Sequence, residues 1–211
     1  MLGTHDLALF VLSGLLLNLA PGPDTLYIVG RSSTQGWRAG AAAALGIFVG
    51  TFVHIAAAAA GLSALLAASA SAFTVVKIAG AIYLVYIGIS LLRSPAAPAG
   101  ASATPVPSAP LRTVFVQGFF TNVLNPKVAL FFVAFLPQFV EPEAPSKAAA
   151  LLFLGAIFNL NGTLWNLFVA WSSARISGGL MRNARFAGWF NRCVGGLFVC
   201  LGLKLAFSSE R

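Results

Sequence analysis

Hydrophobic residues gather into six runs, at about 7–29, 40–66, 73–92, 113–139, 148–171 and 188–207, separated by shorter polar stretches. Each run reaches the ~20 residues that an α-helix needs to cross a bilayer. The pattern predicts an all-α integral membrane protein with six transmembrane helices. Two of the runs are interrupted. "LAPGPD" (Leu19–Asp24) places two prolines, a glycine and a carboxylate inside the first, and "NPK" (Asn125–Lys127) places a proline and an ammonium inside the fourth. Proline removes a backbone donor and clashes with the preceding turn, and a charge in hydrocarbon is costly. Helices 1 and 4 are therefore expected to break at these motifs.

Composition strengthens the membrane reading. The chain of 211 residues is 58% hydrophobic and 9% charged, against roughly 25% charged in soluble domains, and its mean hydropathy is +0.87. Six spans leave no room for a soluble domain. No Lys or Arg precedes Arg31, so the first run lacks the positive n-region of a cleaved signal peptide.

A net charge of +8 would suggest nucleic acid in a soluble protein, but here it is distributed as topology. Arg31, Arg38, Arg93, Arg112, Arg175, Arg182 and Arg185 fall after spans 1, 3 and 5. Lys147 and Arg211 lie on the other side with Asp6, Glu141, Glu143 and Glu210. The positive-inside rule then places loops 1–2, 3–4 and 5–6 in the cytoplasm and both termini outside. Lys77 and Arg192, about a turn inside their spans, read as snorkelling side chains.

Residues 93–112, "RSPAAPAGASATPVPSAPLR", form a Pro/Ala-rich cytoplasmic linker without apolar periodicity. It separates a first three-helix repeat, 1–92, from a second, 113–211. At an offset of 104, Gly14 matches Gly118 and Asn18 matches Asn122, and the two breaks coincide to within one residue. At an offset of 115, Lys77 meets Arg192, Gly80 meets Gly195 and Tyr83 meets Phe198. Three spans per half is an odd number, so the halves enter the membrane in opposite senses. Inverted repeats of this kind, interrupted at matching positions, point to a transporter whose binding site lies near the midplane.

The breaks have a definite chemistry. Pro21 and Pro23 leave the carbonyls of Leu17 and Leu19 without helical donors, and Pro126 does the same to Asn122. Such carbonyls suit an ammonium or a proton carrier, and the helix N-terminus that resumes after each break suits a carboxylate. An amino acid carries both charges on neighbouring atoms. Pro21, Gly22, Pro23 and Asp24, with Asn125, Pro126 and Lys127, are accordingly the candidate site.

Several side chains carry two readings. Asp24 takes a proton or the substrate amine and Lys127 the carboxylate, or Asp24 caps its half-helix and pairs with Lys127 structurally. Asn18 and Asn122 line the cavity or hydrogen-bond between helices. His54 relays protons or is a neutral histidine bonded to a neighbouring helix. "NLNGTLWN" makes span 5 polar, so Asn159, Asn161 and Trp165 are weaker cavity-lining candidates. Gly46 and Gly50 have the spacing of close helix packing and need no chemistry. Cys193 and Cys200 lack disulfide or metal-ligand spacing and are expected to pack.

"LAPGPDTLYIV", "NPKVALFFVAFLPQF" and "AGAIYLVYIGISLLR" together resemble the LysE-type amino-acid exporters, the lysine and homoserine/threonine exporters of bacteria. The similarity covers essentially all of the chain outside 94–111. It implies a bacterial inner-membrane exporter of amino acids or derivatives, driven by proton exchange. It also implies that Pro21–Asp24 and Asn125–Lys127 are signature breaks and that His54 stands where many members have histidine.

Other classes fit less well. A metal-cation exporter wants clustered carboxylate, His or Cys ligands, and Asp24 and His54 are not clustered in sequence. A transmembrane thiol–disulfide electron carrier needs a cysteine in each break. An enzyme needs a nucleophile–base or metal constellation, and none assembles. The expected partners are an amino acid, protons and the lipid bilayer, without nucleic acid or cofactor. A homo-oligomer stays open.

Overall fold

The computed structural model describes residues 2–20, 22–62, 107–141 and 143–175, with single positions between 75 and 93 and between 192 and 203. Spans 3 and 6 fall mainly outside these residues, as do Pro21, Lys77, Gly80, Tyr83, Arg182, Arg185, Cys193, Phe198, Glu210, Arg211 and most of the linker. The described positions within 75–93 and 192–203 are helical.

The first apolar run is two helices, α1 (Leu7–Leu19) and α2 (Pro23–Gln35), bent by 53° at the break. Gly36 ends α2 with φ 82° and ψ 176°, a conformation open essentially only to glycine. It turns the chain directly into α3 (Trp37–Ala57), which runs on as a π-helical turn over Ala58–Leu62. The fourth run is likewise split, into α4 (Leu111–Val123) and α5 (Pro126–Ala134), continued by a 3₁₀ turn over Leu136–Phe139, with a bend of 48°. The last fully described helix, α6, is unbroken over Lys147–Arg175. Among the described residues two helices are long and apolar enough to cross a membrane, four if each bent pair is one span. The described residues form an all-helical, multi-pass membrane protein whose first and fourth apolar runs are interrupted.

Packing follows from small residues. A Cβ built on Gly46 would collide with the Phe115 carbonyl of α4, one on Gly50 would lie 2.8 Å from the Phe119 carbonyl, and one on Gly118 would lie 2.5 Å from the Ala43 carbonyl. The α3–α4 seam is thus backbone against backbone. Outward faces carry Leu160, Leu164, Phe168 and Trp171 on α6, at the three-to-four-residue spacing of one helical face. Cys200 is exposed rather than packed, because it shares an outward face with the exposed Leu203.

Two apolar blocks fill the interior. One gathers Phe10, Phe131, Phe132, Phe135, Phe139 and Phe158 with Ile55 and Leu154. The other joins Ile28, Ala43, Ala44, Ile47, Val114, Val169 and Ala170. Both helix breaks, together with Thr51 and His54 of α3 and Asn159 and Thr163 of α6, fall between the blocks along their helices, so a polar layer lies at mid-height.

The segments flanking the broken spans are fastened together at each end. Beyond the aromatic block, Thr4 forms an antiparallel bridge with Val140, flanked by His5 N–H donating to Phe139 O at 3.1 Å and Glu141 N–H to Gly3 O at 2.8 Å. Beyond the other block, Arg31 donates to Pro107 O (2.9 Å), Gln117 Oε1 (2.7 Å) and Gln35 Oε1 (2.8 Å). The Gln35 amide donates in turn to Ala109 O at 2.9 Å. Arg31, placed among the loop cations by the sequence, is 5% exposed, because α2 runs on to Gln35 and carries it into the protein. Arg38, Arg93, Arg112 and Arg175 are exposed.

Candidate functional site

The first break begins at Ala20, whose ψ of 123° turns it out of the helix, and Gly22 follows in an extended conformation. Lys127 Nζ donates to the carbonyls of Leu17 (2.8 Å) and Ala20 (2.7 Å). These are the short lengths of charge-assisted bonds, made at the negative end of the α1 dipole. The Leu17 carbonyl is one that the sequence marks as freed, since residue 21 has no N–H. Ala20 serves where Leu19 was expected, because the extended ψ at Ala20 swings its carbonyl out of the helical ladder. The lysine stem runs past Gly22, where a Cβ would lie 3.5 Å from Lys127 Cδ.

Lys127 is aimed by the second break. Asn125 caps α5, its side-chain oxygen accepting from Lys127 N–H at 3.0 Å. Pro126 opens the helix at a position where its missing donor costs nothing. The Asn122 carbonyl, which Pro126 cannot serve, accepts from Asn125 N–H at 2.9 Å and meets His54 Nε2 at 3.0 Å. A carbonyl only accepts, so His54 carries its hydrogen on Nε2. The imidazole, 8% exposed, is stacked on Phe132 with ring centroids 6.0 Å apart. Of the two readings of His54, the bond to a neighbouring helix is therefore present.

Asp24 completes the crossing. Its Oδ2 accepts from Asn122 Nδ2 at 2.7 Å, and Thr51 Oγ1 donates to Asn122 Oδ1 at 3.3 Å. Asn122, 2% exposed, thus joins α4 to α2 and α3. The side chain after each break reaches the other broken helix: Lys127 to α1, Asp24 to α4. Asp24 and Lys127 form no ion pair with each other; among the described residues the one ion pair is His5–Asp6 at 3.3 Å.

Among the described residues Asp24 Oδ1, Asn18 Nδ2 and, farther along α6, Trp165 Nε1 are buried without a hydrogen-bond partner. Asn18 lies against Gly162 of α6, where a Cβ would be 3.1 Å from its amide, and Trp165 follows one turn later. Asn122 stands in the same relation to Gly50 of α3, at 3.1 Å. Asn159 is tied to α3 instead, donating to Phe48 O at 3.2 Å, and Asn161 is half-buried on α6. Thr51 and the cluster in which Arg31 donates to Tyr27 Oη (3.3 Å) and Gln35 Oε1 are not among the candidate site residues of the sequence. The signal for the second was the i, i+4, i+8 spacing of Tyr27, Arg31 and Gln35, which puts all three on one helical face.

Membrane-crossing helices, two of them broken at mid-height with charged side chains laid across the breaks, define a membrane transport protein rather than an enzyme. The chain belongs to the LysE type translocator family, whose model matches residues 15–209. It is 32% identical to an uncharacterised membrane protein of Pseudomonas aeruginosa over 97% of this chain and 96% of that protein. It is 28% identical to the leucine efflux protein of Salmonella choleraesuis over 93% and 92% of the two chains. It is 29% identical to an uncharacterised membrane protein of Bacillus subtilis over 97% and 100%. No solved structure matches the chain.

Proposed function

We propose that the protein exports amino acids or their derivatives across the bacterial inner membrane, exchanging them for protons by alternating access, with both termini periplasmic. The observation that carries this reading is the set of groups at the first break. Among the described residues a carboxylate oxygen (Asp24 Oδ1) and an N–H donor (Asn18 Nδ2) next to the break are buried without partners, and an ammonium rests on two of its carbonyls; a further such donor, Trp165 Nε1, lies farther along α6. The two carbonyls under the Lys127 ammonium, with the unfilled Asp24 oxygen near them in sequence, suit a substrate ammonium, and the unfilled donors suit a substrate carboxylate. Relatives named as leucine efflux proteins agree with a small zwitterion.

In this reading Asp24 and His54 carry the proton, Lys127 takes the substrate carboxylate, and Asn18 and Trp165 line the path. Asn122 and Asn125 hold the breaks open, with Pro21, Gly22, Pro23 and Pro126 shaping them. The parallel contacts Asn18–Gly162 and Asn122–Gly50 support two inverted repeats, because the two asparagines matched at the offset of 104 each pack against a glycine of another helix. Cells loaded with a panel of dipeptides, with and without the protein, test the proposal. Faster efflux of one or more released amino acids, abolished by an uncoupler, is expected. Efflux unchanged by the protein across the panel refutes export, and uncoupler-resistant efflux refutes proton exchange.

A further inference from the structure

Lys127 fills, with its own ammonium, the two carbonyls that the first break offers. We propose that the Leu17 and Ala20 carbonyls are the ammonium seat of the transport site, and that Lys127 is its resident occupant, displaced onto the substrate's carboxylate when a primary amine arrives. This rests on the amino-acid reading of the site and adds the step by which a substrate enters it.

Three observations lead here. Lys127 Nζ holds both carbonyls at 2.7 and 2.8 Å, the geometry a substrate ammonium would adopt. The seat is intolerant of being empty, since two carbonyls stripped of helical donors at membrane depth need an internal partner. A protein whose substrate comes and goes therefore requires a stand-in, and the lysine is one. Finally, Asp24 bonds Asn122 rather than Lys127, so the lysine is not locked to its nearest acid and is free to exchange partners.

Charge balance then sets what can displace it. With Lys127 and ionised Asp24 in place the site is neutral, and a zwitterion keeps it neutral. An amine without a carboxylate adds a net positive charge in a medium that penalises it, and leaves the displaced lysine without a new anion. The seat therefore admits compounds with an adjacent primary amine and carboxylate and rejects simple amines. Removing the lysine charge reverses that preference, because a bare amine now balances Asp24.

Thermal unfolding of the purified protein in detergent tests this without knowledge of the natural substrate. The probes are butylammonium chloride, with butanol and sodium chloride as controls. Lys127→Met is expected to unfold at least roughly 5 °C below the wild type, from the loss of charge-assisted bonds. Butylammonium should restore most of that difference, and the controls should not. The wild type and Lys127→Arg, whose seats are filled, should be indifferent to butylammonium. A Lys127→Met protein unmoved by butylammonium, or a wild type moved equally, overturns the proposal. If Lys127→Met does not accumulate, butylamine in the growth medium should restore its abundance in the membrane, and failure to do so overturns the proposal equally. Leucine efflux by the wild type is measured alongside. Its absence with butylammonium rescue intact counts against leucine export and leaves the seat standing, while efflux without rescue does the reverse.

Discussion

Lys127 Nζ lies 2.8 Å from the carbonyl oxygen of Leu17, 110 positions away in sequence and in the other half of the chain. That oxygen is one the proline at position 21 deprives of a helical donor. The ammonium therefore completes a helix to which it does not belong, and Asp24 returns the relationship by holding Asn122. Neither broken helix is complete alone, so a disturbance at one break is felt at the other.

Asp24→Asn keeps an oxygen for Asn122 Nδ2 and removes the charge. The variant should reach the membrane at near wild-type level. Its efflux should fall by at least about tenfold, the factor that ~1.4 kcal/mol represents in a rate. Membrane abundance by immunoblot and efflux from dipeptide-loaded cells, measured together, check this.

The double variant Asp24→Asn with Lys127→Gln should be no better than either single. An ion pair would behave otherwise, since each single change strands a buried charge at ~3–5 kcal/mol and the double change strands none. Here the two charges serve different partners, so no such relief is available. Recovery of transport in the double variant contradicts the geometry described for the site.

His54→Gln retains an N–H donor for the Asn122 carbonyl, and His54→Leu does not. The leucine variant should lose roughly 0.6–2 kcal/mol of stability, read as lower membrane abundance or a lower Tm. The glutamine variant should fold like the wild type and separate the structural bond from proton transfer. If it exports at full rate and still collapses with an uncoupler, His54 carries no proton.

Much of this was legible in the sequence, for a physical reason. A proline inside an apolar run has one structural consequence wherever it occurs, so the breaks at Pro21–Pro23 and Pro126, and the freed Leu17 and Asn122 carbonyls, could be named from residue chemistry alone. What occupies those carbonyls depends on which helices cross. Lys127 on α1 and His54 on the Asn122 carbonyl are tertiary facts without a local signature. Arg31 misled because topology counts arginines by their distance from a span, whereas the length of α2 decides burial. The choice of Ala20 over Leu19 turns on one ψ angle, which no pattern of residue types encodes.

Gly46→Ala and Gly61→Ala form a contrasting pair. The first puts a methyl group into the Phe115 carbonyl, whereas no atom of the described residues lies within 4 Å of a Cβ built on the second. Overpacking of that kind costs about 1–3 kcal/mol, so Gly46→Ala should lower Tm in detergent by several degrees and Gly61→Ala should leave it unchanged. Equal effects at the two positions argue against the backbone seam between α3 and α4.

Thr4 and Val140 form a bridge pair of the non-hydrogen-bonded type, in which Cα atoms approach to about 4.5 Å, within disulfide range. Thr4→Cys with Val140→Cys, in a background lacking Cys193 and Cys200, should cross-link on mild oxidation. If transport requires this end to open, efflux should stop while the bond is present and return on reduction. Continued efflux through fully cross-linked protein shows that the path does not pass between these segments.

The two apolar blocks on either side of the polar layer differ in their internal rotors. One is built from Phe10, Phe131, Phe132, Phe135, Phe139 and Phe158, with Phe131 stacked on Phe158 at 4.6 Å and Phe10 edge-on to Phe139 at 5.2 Å. Each ring swings on two side-chain torsions, so this block has discrete alternative arrangements with the helices left where they stand. The other block places Ala43, Ala44 and Ala170 among short branched side chains, and alanine has no heavy-atom torsion to turn. Space can appear there chiefly through displacement of backbone. Rearrangement beside the Thr4–Val140 end can thus begin with single rings, one at a time, whereas beside the Arg31 end the small residues at the centre of the block leave mainly the backbone to move.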